Sequence, residues 1–129
     1  MASSVTNIAG VLSAITTTIA YTDSSAVTVG TLPANAQIVD VNIYVTTAFN
    51  AATTNTVTVG KSGSAAAFVA STSVGSAGRA SVATTGVYSA WADTGSSEVA
   101  VTVTYAQTGT AASAGAARVT IVYKSYAQN

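Results

Sequence analysis

Apolar β-branched residues recur at every second position along much of this chain, and this alternation restricts its fold more than any other feature. In residues 37–46, Val39, Val41, Ile43 and Val45 occupy alternate positions, with polar side chains between them. Side chains with a period of two line one face of a β-strand, whereas a helix has a period of 3.6. The sequence therefore predicts a strand over residues 37–46 with these four side chains directed inward.

Two further segments alternate almost as regularly. Residues 98–105 place three valines and Tyr105 on one face, and residues 118–124 place Val119, Ile121 and Tyr123 on one face. Two of the longest predicted strands carry Thr on their outer faces, which suits contact with protein and suits water equally. Weaker alternation predicts further strands at residues 14–22, 26–32, 55–60, 66–70 and 86–91. Segments rich in Gly, Ser, Asn and Ala separate the strands, at residues 48–54, 61–65, 71–85 and 106–116.

About eight short strands joined by long connections predict one all-β domain, a two-sheet antiparallel sandwich. A jelly roll is favoured over an immunoglobulin-like sandwich, because the chain has no Cys and lacks the Cys and Trp pattern of the latter. Residues 1–10 have neither the positive charge nor the continuous apolar run of a signal peptide, although Val11, Leu12 and Ile15 form a weak apolar cluster. We interpret residues 1–13 as an N-terminal arm and residues 14–129 as the sandwich domain.

The chain is also poor in charge. Only 6% of its 129 residues are charged and the formal net charge is +0, whereas about 25% charged residues would be ordinary. A free monomer normally keeps itself in solution with a mixed charged surface, so this composition predicts that protein covers much of the surface. A bilayer is not expected as the partner, since no apolar run approaches the roughly 20 residues that span one. Nucleic acid is not expected either, because the four Lys and Arg residues stand singly. The charged residues are Asp23, Asp40, Lys61, Arg79, Asp93, Glu98, Arg118 and Lys124.

Catalytic chemistry has few residues to use. The chain has no His, which removes the commonest general base and most zinc sites. Asp93 and Glu98 could act as a glycosidase pair, although acids near strand ends more commonly solvate loops. Asp93-Thr94-Gly95 resembles the active-site turn of aspartic proteases, where two Asp share a proton, so such an enzyme would have to be a homodimer. A polar turn entering the next strand is the favoured interpretation, since these residues are common in turns. The sequence predicts no enzyme, no catalytic residue, no cofactor and no metal.

Aromatic side chains are the other possible functional signal. Tyr88 and Trp91 alternate along a predicted strand and could stack on a sugar or anchor a protein partner. The favoured alternative for Trp91 is that it closes one end of the sandwich. A rival function is therefore a sugar-binding head of a fibre or adhesin, with binding in the long loops at residues 71–85 and 106–116. The candidate protein-interface residues are Tyr44, Phe49, Tyr88 and Trp91.

Three segments resemble a group of small virion proteins of tailed bacteriophages. They are the Leu-Pro turn that enters a long strand at residues 32–41, the Thr-Thr-Ala-Phe-Asn segment within residues 45–50, and the Val-Gly that ends residues 56–60. The resemblance covers about residues 31–70 and implies a head decoration, or cement, protein. Such a protein would be a β-sandwich or jelly roll, commonly a homotrimer, on the outer surface of the capsid. Its partner would be the major capsid protein, whose subunit contacts it would clamp, and the resemblance supplies no catalytic residue. A tail or fibre component stays an alternative location.

Overall fold

The computed structural model describes residues 12–80 and 93–125. These residues contain β-strands and no helix. The strands are β1 (Leu12–Ala20), β2 (Val27–Leu32), β3 (Ala36–Thr47), β4 (Thr54–Lys61), β5 (Ser64–Ser73), β6 (Gly78–Arg79), β7 (Val99–Thr108) and β8 (Ala116–Ser125). The prediction of an all-β protein is confirmed.

The strands form two four-stranded antiparallel sheets that pack as a sandwich. Sheet A has the order β1-β8-β3-β6, and sheet B has the order β2-β7-β4-β5. Apart from the β4–β5 hairpin, successive strands of the described chain lie in opposite sheets. The predicted two-sheet antiparallel sandwich is confirmed, and the strand order is compatible with a jelly roll.

The inward faces of the two sheets meet in one apolar core made mostly of Val and Ile. β-Branched side chains fit the pleated surface of a strand, and here they fill the space between the sheets. The predicted inward faces of β7 and β8 are confirmed, with Tyr123 and Val99 partly buried at the margin. The buried residues of the three longest core strands are Ile38, Val41, Ile43 and Val45 on β3, Val101, Val103 and Tyr105 on β7, and Ala117, Val119 and Ile121 on β8.

A β-bulge in β3 corrects one prediction. Ile38 pairs with Tyr123 and Asp40 pairs with Val122, so Val39 is an extra residue with no directly opposed residue on β8. A bulge shifts the alternation of side chains by one position, because two residues on one strand then oppose one on its neighbour. As a result Val39 is 43% exposed and Ile38 faces the core. The prediction that Val39 points inward is wrong, and the inward direction of the other three side chains is confirmed.

The beginning of β1 overlaps the predicted N-terminal arm. Leu12 and Ser13 already pair with β8 as part of a nine-residue strand. Residues 1–11, which make up the rest of the predicted arm, lie outside the described residues. The arm itself therefore stays a prediction, with its boundary moved to residue 11.

The structure differs from the prediction in the length of β5 and in the loop at residues 71–85. β5 extends over Ser64–Ser73, well beyond the predicted residues 66–70. β6 is a two-residue strand within residues 71–85, which were predicted as a loop. The strand predicted at residues 86–91 lies outside the described residues.

Gly60 allows a close approach within the β4–β5 hairpin. It is buried, and a Cβ atom at this position would overlap the backbone of Ser64 and Ala65. The pairing of the two strands shifts here, from Lys61 opposite Ser64 to Val59 opposite Val69. Only a residue without a side chain lets β5 cross β4 at this distance.

Candidate interaction surfaces

The Asp93 turn is held by a set of structural hydrogen bonds. The Asp93 Oδ1 atom accepts from the Gly95 N–H at 2.6 Å, as in an Asx turn. The Thr94 hydroxyl donates to the Pro33 carbonyl at 2.8 Å and accepts from the Ala36 N–H at 3.0 Å. The Thr94 N–H donates to the Ala36 carbonyl at 2.8 Å. This turn therefore fastens the beginning of β3, which gives Thr94 and Gly95 a structural reason to follow Asp93.

The part of the chain that the structure describes presents two open sheet faces on which a partner could bind. Within it there is no pocket, and no group of three or more His, Cys, Asp and Glu residues that could hold a metal ion. No helix among the described residues is long and apolar enough to cross a membrane. The largest surfaces that these residues offer to a partner are the outer faces of sheets A and B.

Phe49, one of the four candidate interface residues, lies in the core. Its side chain is 1% exposed, and its ring centroid is 4.6 Å from that of Tyr105. Gly115 lies directly against the ring, since a Cβ atom there would overlap the Phe49 side chain. Its φ of 152° also disfavours any residue with a side chain. Phe49 closes one end of the core, and its side chain is not available on the surface of this chain.

Tyr105 couples this end of the core to the loop after β3. Its hydroxyl donates to the Asn55 Oδ1 atom at 2.7 Å. The same Asn55 amide accepts from the Ala51 N–H at 2.9 Å and donates to the Ala51 carbonyl at 3.1 Å. Burial raises the pKa of the Tyr105 phenol, because desolvation penalises the phenolate. These contacts fix the loop rather than prepare a catalytic group.

Tyr44 is exposed on the outer side of β3, as its position beside Asp40 and Asn42 predicts. Its ring is 41% exposed, and the Arg118 guanidinium carbon lies 5.5 Å from the ring centroid, a cation–π distance. The structure thus places Tyr44 where a partner could reach it, and its role in an interface stays a prediction. Tyr88 and Trp91 lie outside the described residues.

The outer surface of sheet A, called here the charged face, collects half of the charged residues. Direct partners in the strand pairing share one side of the sheet, so the register assigns its members, and exposure places the unpaired Val39 among them. All three large apolar side chains that are exposed in the described residues lie on it, namely Leu12, Val39 and Tyr44. The charged face consists of Leu12, Ala14, Thr16 and Thr18 on β1, Arg118, Thr120, Val122 and Lys124 on β8, Gln37, Val39, Asp40, Asn42 and Tyr44 on β3, and Arg79 on β6.

The charged face carries an ion pair and a hydrogen bond between neighbouring strands. Arg79 and Asp40 form an ion pair at 3.5 Å with both side chains largely in solvent, a geometry that contributes little stability. The Thr16 and Thr120 hydroxyls share a hydrogen bond of 2.9 Å between β1 and β8. The Asn42 Oδ1 atom is shielded from solvent and has no hydrogen-bond partner among the described residues. A shielded acceptor without a donor is unfavourable in the free chain.

The outer surface of sheet B, called here the threonine face, has a different character. It consists of Thr, Ser, Ala and Gly residues and carries no charged one, since Lys61 at the end of β4 pairs with the inward-facing Val101. The Thr54 and Thr108 hydroxyls share a hydrogen bond of 2.7 Å across the β4–β7 pair. The threonine face consists of Thr28 and Thr31 on β2, Thr54, Thr56, Thr58 and Gly60 on β4, Ser71 and Ser73 on β5, and Ala100, Thr102, Thr104, Ala106 and Thr108 on β7.

Comparison with known proteins gives one informative match. No family model matches the chain, and no curated protein matches it. A chain of the solved cyanophage Pam1 capsid asymmetric unit does match, with a TM-score of 0.72 and 26% sequence identity. The match is to a phage capsid structure. It covers 97% of this chain and 92% of that chain, so it concerns the whole sandwich and not a shared fragment. This likeness supports a structural protein of a phage virion, as the sequence resemblance implies.

The sequence could not reveal the charged face. Alternation places Arg118 and Lys124 on the outer side of one strand and Asp40 on the outer side of another. It does not say that these strands are neighbours, nor that β6 brings Arg79 beside Asp40. The sequence predicts that Asp40, Arg118 and Lys124 point outward, but it contains no information about the strand order that brings them together.

Proposed function

We propose that this protein decorates the outer surface of a bacteriophage head, where it binds and bridges subunits of the major capsid protein as a homotrimer. One observation carries the proposal: a match over nearly the whole chain to a chain of a phage capsid asymmetric unit. The low charge of the sequence supports it independently, because a lattice protein can bury broad faces that a free monomer would have to keep charged.

The threonine face is the surface assigned to the capsid. Covering it removes no charged side chain from water, so the desolvation penalty that accompanies buried charges does not arise. Thr hydroxyls can donate and accept hydrogen bonds, and their methyl groups contribute apolar area. The charged face would require the desolvation of Arg118, Lys124 and their neighbours, so it is the poorer candidate for a broad and tight contact.

Bridging of two capsid subunits explains how the bound chain would stabilise the head. A ligand that binds only the assembled lattice shifts the equilibrium toward that lattice in proportion to its affinity and concentration. If each copy contacts two capsid subunits, opening the lattice under internal DNA pressure must break the added interfaces as well. A trimer multiplies this effect, since its three copies bind as one unit with a high effective concentration.

The test is binding of the purified chain to phage heads that lack it. Heads are sedimented with increasing amounts of the chain, and both bound protein and the temperature of DNA release are measured. We expect saturable binding and a higher release temperature. A chain that stays in the supernatant, or binds without changing head stability, contradicts the proposal.

Lysine substitutions test the assignment of the face. Thr58 and Thr104 lie opposite each other on β4 and β7, at the centre of the threonine face. The double variant Thr58→Lys, Thr104→Lys should fold and should lose binding to heads. The matched control is Ser76→Lys, Thr110→Lys, which adds the same charge at exposed loop positions and should bind normally. Equal binding by both variants contradicts the assignment, and binding to a glycan array instead of to heads would favour the fibre or adhesin alternative.

A further inference from the structure

The eight charged side chains are divided unequally between the surfaces of this chain. The charged face carries Arg79, Arg118, Lys124 and Asp40, which gives it a net side-chain charge of +2. The turn at residues 93–98 carries two acids, which gives it a net charge of −2. The remaining two, Asp23 and Lys61, cancel. A chain whose formal net charge is +0 therefore presents two complementary patches of equal and opposite charge.

The acidic turn is exposed and its backbone is fixed. Asp93 and Glu98 are both exposed, and neither has an ion-pair partner among the described residues. The turn is tied to the beginning of β3 by the Thr94 hydrogen bonds and by the Asn35 N–H, which donates to the Gly95 carbonyl at 2.8 Å. A surface that is already ordered loses little conformational entropy when a partner binds.

The charged face has the composition of a protein interface. Leu12, Val39 and Tyr44 give it exposed apolar area, while cations lie beside them. Interfaces commonly combine aromatic and Arg side chains with apolar contacts, and the Arg118–Tyr44 pair supplies both at one place. The net positive charge of this face favours an acidic partner.

We infer that the charged face of one copy of this chain binds the acidic turn, residues 93–98, of a second copy. Every copy carries both halves of the contact, so no other protein is needed to form it. Because the two patches differ, the contact is head-to-tail, and repeating it closes a ring when the rotation between copies allows. The ring size rests on the proposed function, whose homotrimer is the three-membered case, while the contact itself is measured without capsids.

The test compares charge reversals on and off the charged face. The native mass of the chain is measured by light scattering and sedimentation at about 50 mM and about 500 mM salt, where screening lengths differ about threefold. We expect an oligomer at low salt, and we expect its dissociation constant to be at least about tenfold larger at high salt. Arg118→Glu should weaken association at least about tenfold at low salt. Lys61→Glu makes the same change of charge away from the face and should leave the mass unaltered.

A charge exchange distinguishes complementarity from general damage. One variant reverses the face with Arg118→Glu and Lys124→Glu, and another changes the turn with Asp93→Asn and Glu98→Lys. Asn at position 93 retains an Oδ1 acceptor for the Gly95 N–H. Each variant alone should be monomeric, and the chain with all four substitutions should associate again.

Several outcomes would overturn the inference. The first is a chain that stays monomeric at low salt up to about 1 mM. The second is an equal effect of Arg118→Glu and Lys61→Glu on the native mass. The third is failure of the four-fold variant to associate while its circular dichroism shows a folded sandwich. Normal binding of a monomeric chain to heads would overturn the self-contact and leave the decoration function standing. A charge-dependent oligomer that ignores heads would do the reverse.

Discussion

Replacement of Phe49 by Ala should weaken the fold strongly, and the surroundings of the ring set the size of the effect. The ring is 1% exposed and packs on Tyr105 at one end of the sandwich. Gly115 lies against it and has no side chain that could move into the vacated space. The substitution therefore leaves a cavity whose walls are held by the strand pairing of β8 and by the Tyr105–Asn55 hydrogen bond.

The magnitude follows from the loss of transfer free energy and the cavity. Replacing a buried Phe by Ala typically costs about 3–5 kcal/mol of unfolding free energy. For 129 residues and about 2.1 cal/mol/K of unfolding entropy per residue, this corresponds to a fall in Tm of about 11–18 °C. The upper part of the range is expected, because Gly115 cannot fill the cavity. Tyr44→Ala removes an exposed ring and one cation–π contact, so its cost should stay below about 1 kcal/mol, or about 4 °C.

Thermal unfolding followed by circular dichroism measures both effects. The variants are compared at one fixed chain concentration, because self-association makes Tm depend on concentration. A fall in Tm below about 5 °C for Phe49→Ala would refute the placement of the ring in the core. The same conclusion follows if Tyr44→Ala is the more damaging substitution.

Three further predictions concern stability. Gly60→Ala should lower the unfolding free energy by about 1–3 kcal/mol in urea titrations, because the added Cβ atom would overlap the backbone of Ser64 and Ala65. Gly75→Ala, which meets only ordinary contacts, is the control, and equal effects contradict the close approach. Asn42→Val should leave thermal stability unchanged or raise it by up to about 1 kcal/mol, since it removes an unpartnered acceptor; a marked loss would mean that the amide has a partner. Stability should fall as pH rises above 10.0, the ordinary Tyr pKa, because Tyr105 keeps its proton in the folded chain after the unfolded chain has ionised. In urea titrations from pH 9 to 11, Tyr105→Phe should reduce the fall of the unfolding free energy with pH. The loss of the hydrogen bond to Asn55 should lower the unfolding free energy by the same amount at every pH. Equal pH slopes for the two proteins would show that burial does not raise the pKa of Tyr105.

Much of the fold could be predicted from the sequence, because alternation reports directly which side of a strand faces the core. The inward residues of β7 and β8 follow from it, as does the all-β class. Val39 shows the limit of the method. A bulge depends on how β3 pairs with β8, and a period-two pattern read along one strand contains no information about its neighbour.

The interaction surfaces were less predictable for the same reason. Tyr44 could be placed on the surface, since its own strand supplies the polar neighbours that indicate an outer face. Phe49 follows the end of β3, where alternation stops, and only the packing of Tyr105 and Gly115 shows that it is buried. The charged face arises from residues far apart in sequence, so it becomes visible only when the strand order is known.

The most direct test of the proposed function is cryo-electron microscopy of phage heads with and without the bound chain. Decoration predicts a β-sandwich on the outer surface of the head, in groups of three, with the threonine face toward the shell and each copy touching two major capsid subunits. Density for the sandwich only in the tail or fibres, or inside the shell, would contradict the account, as would a sandwich that contacts a single subunit and leaves every lattice interface uncovered.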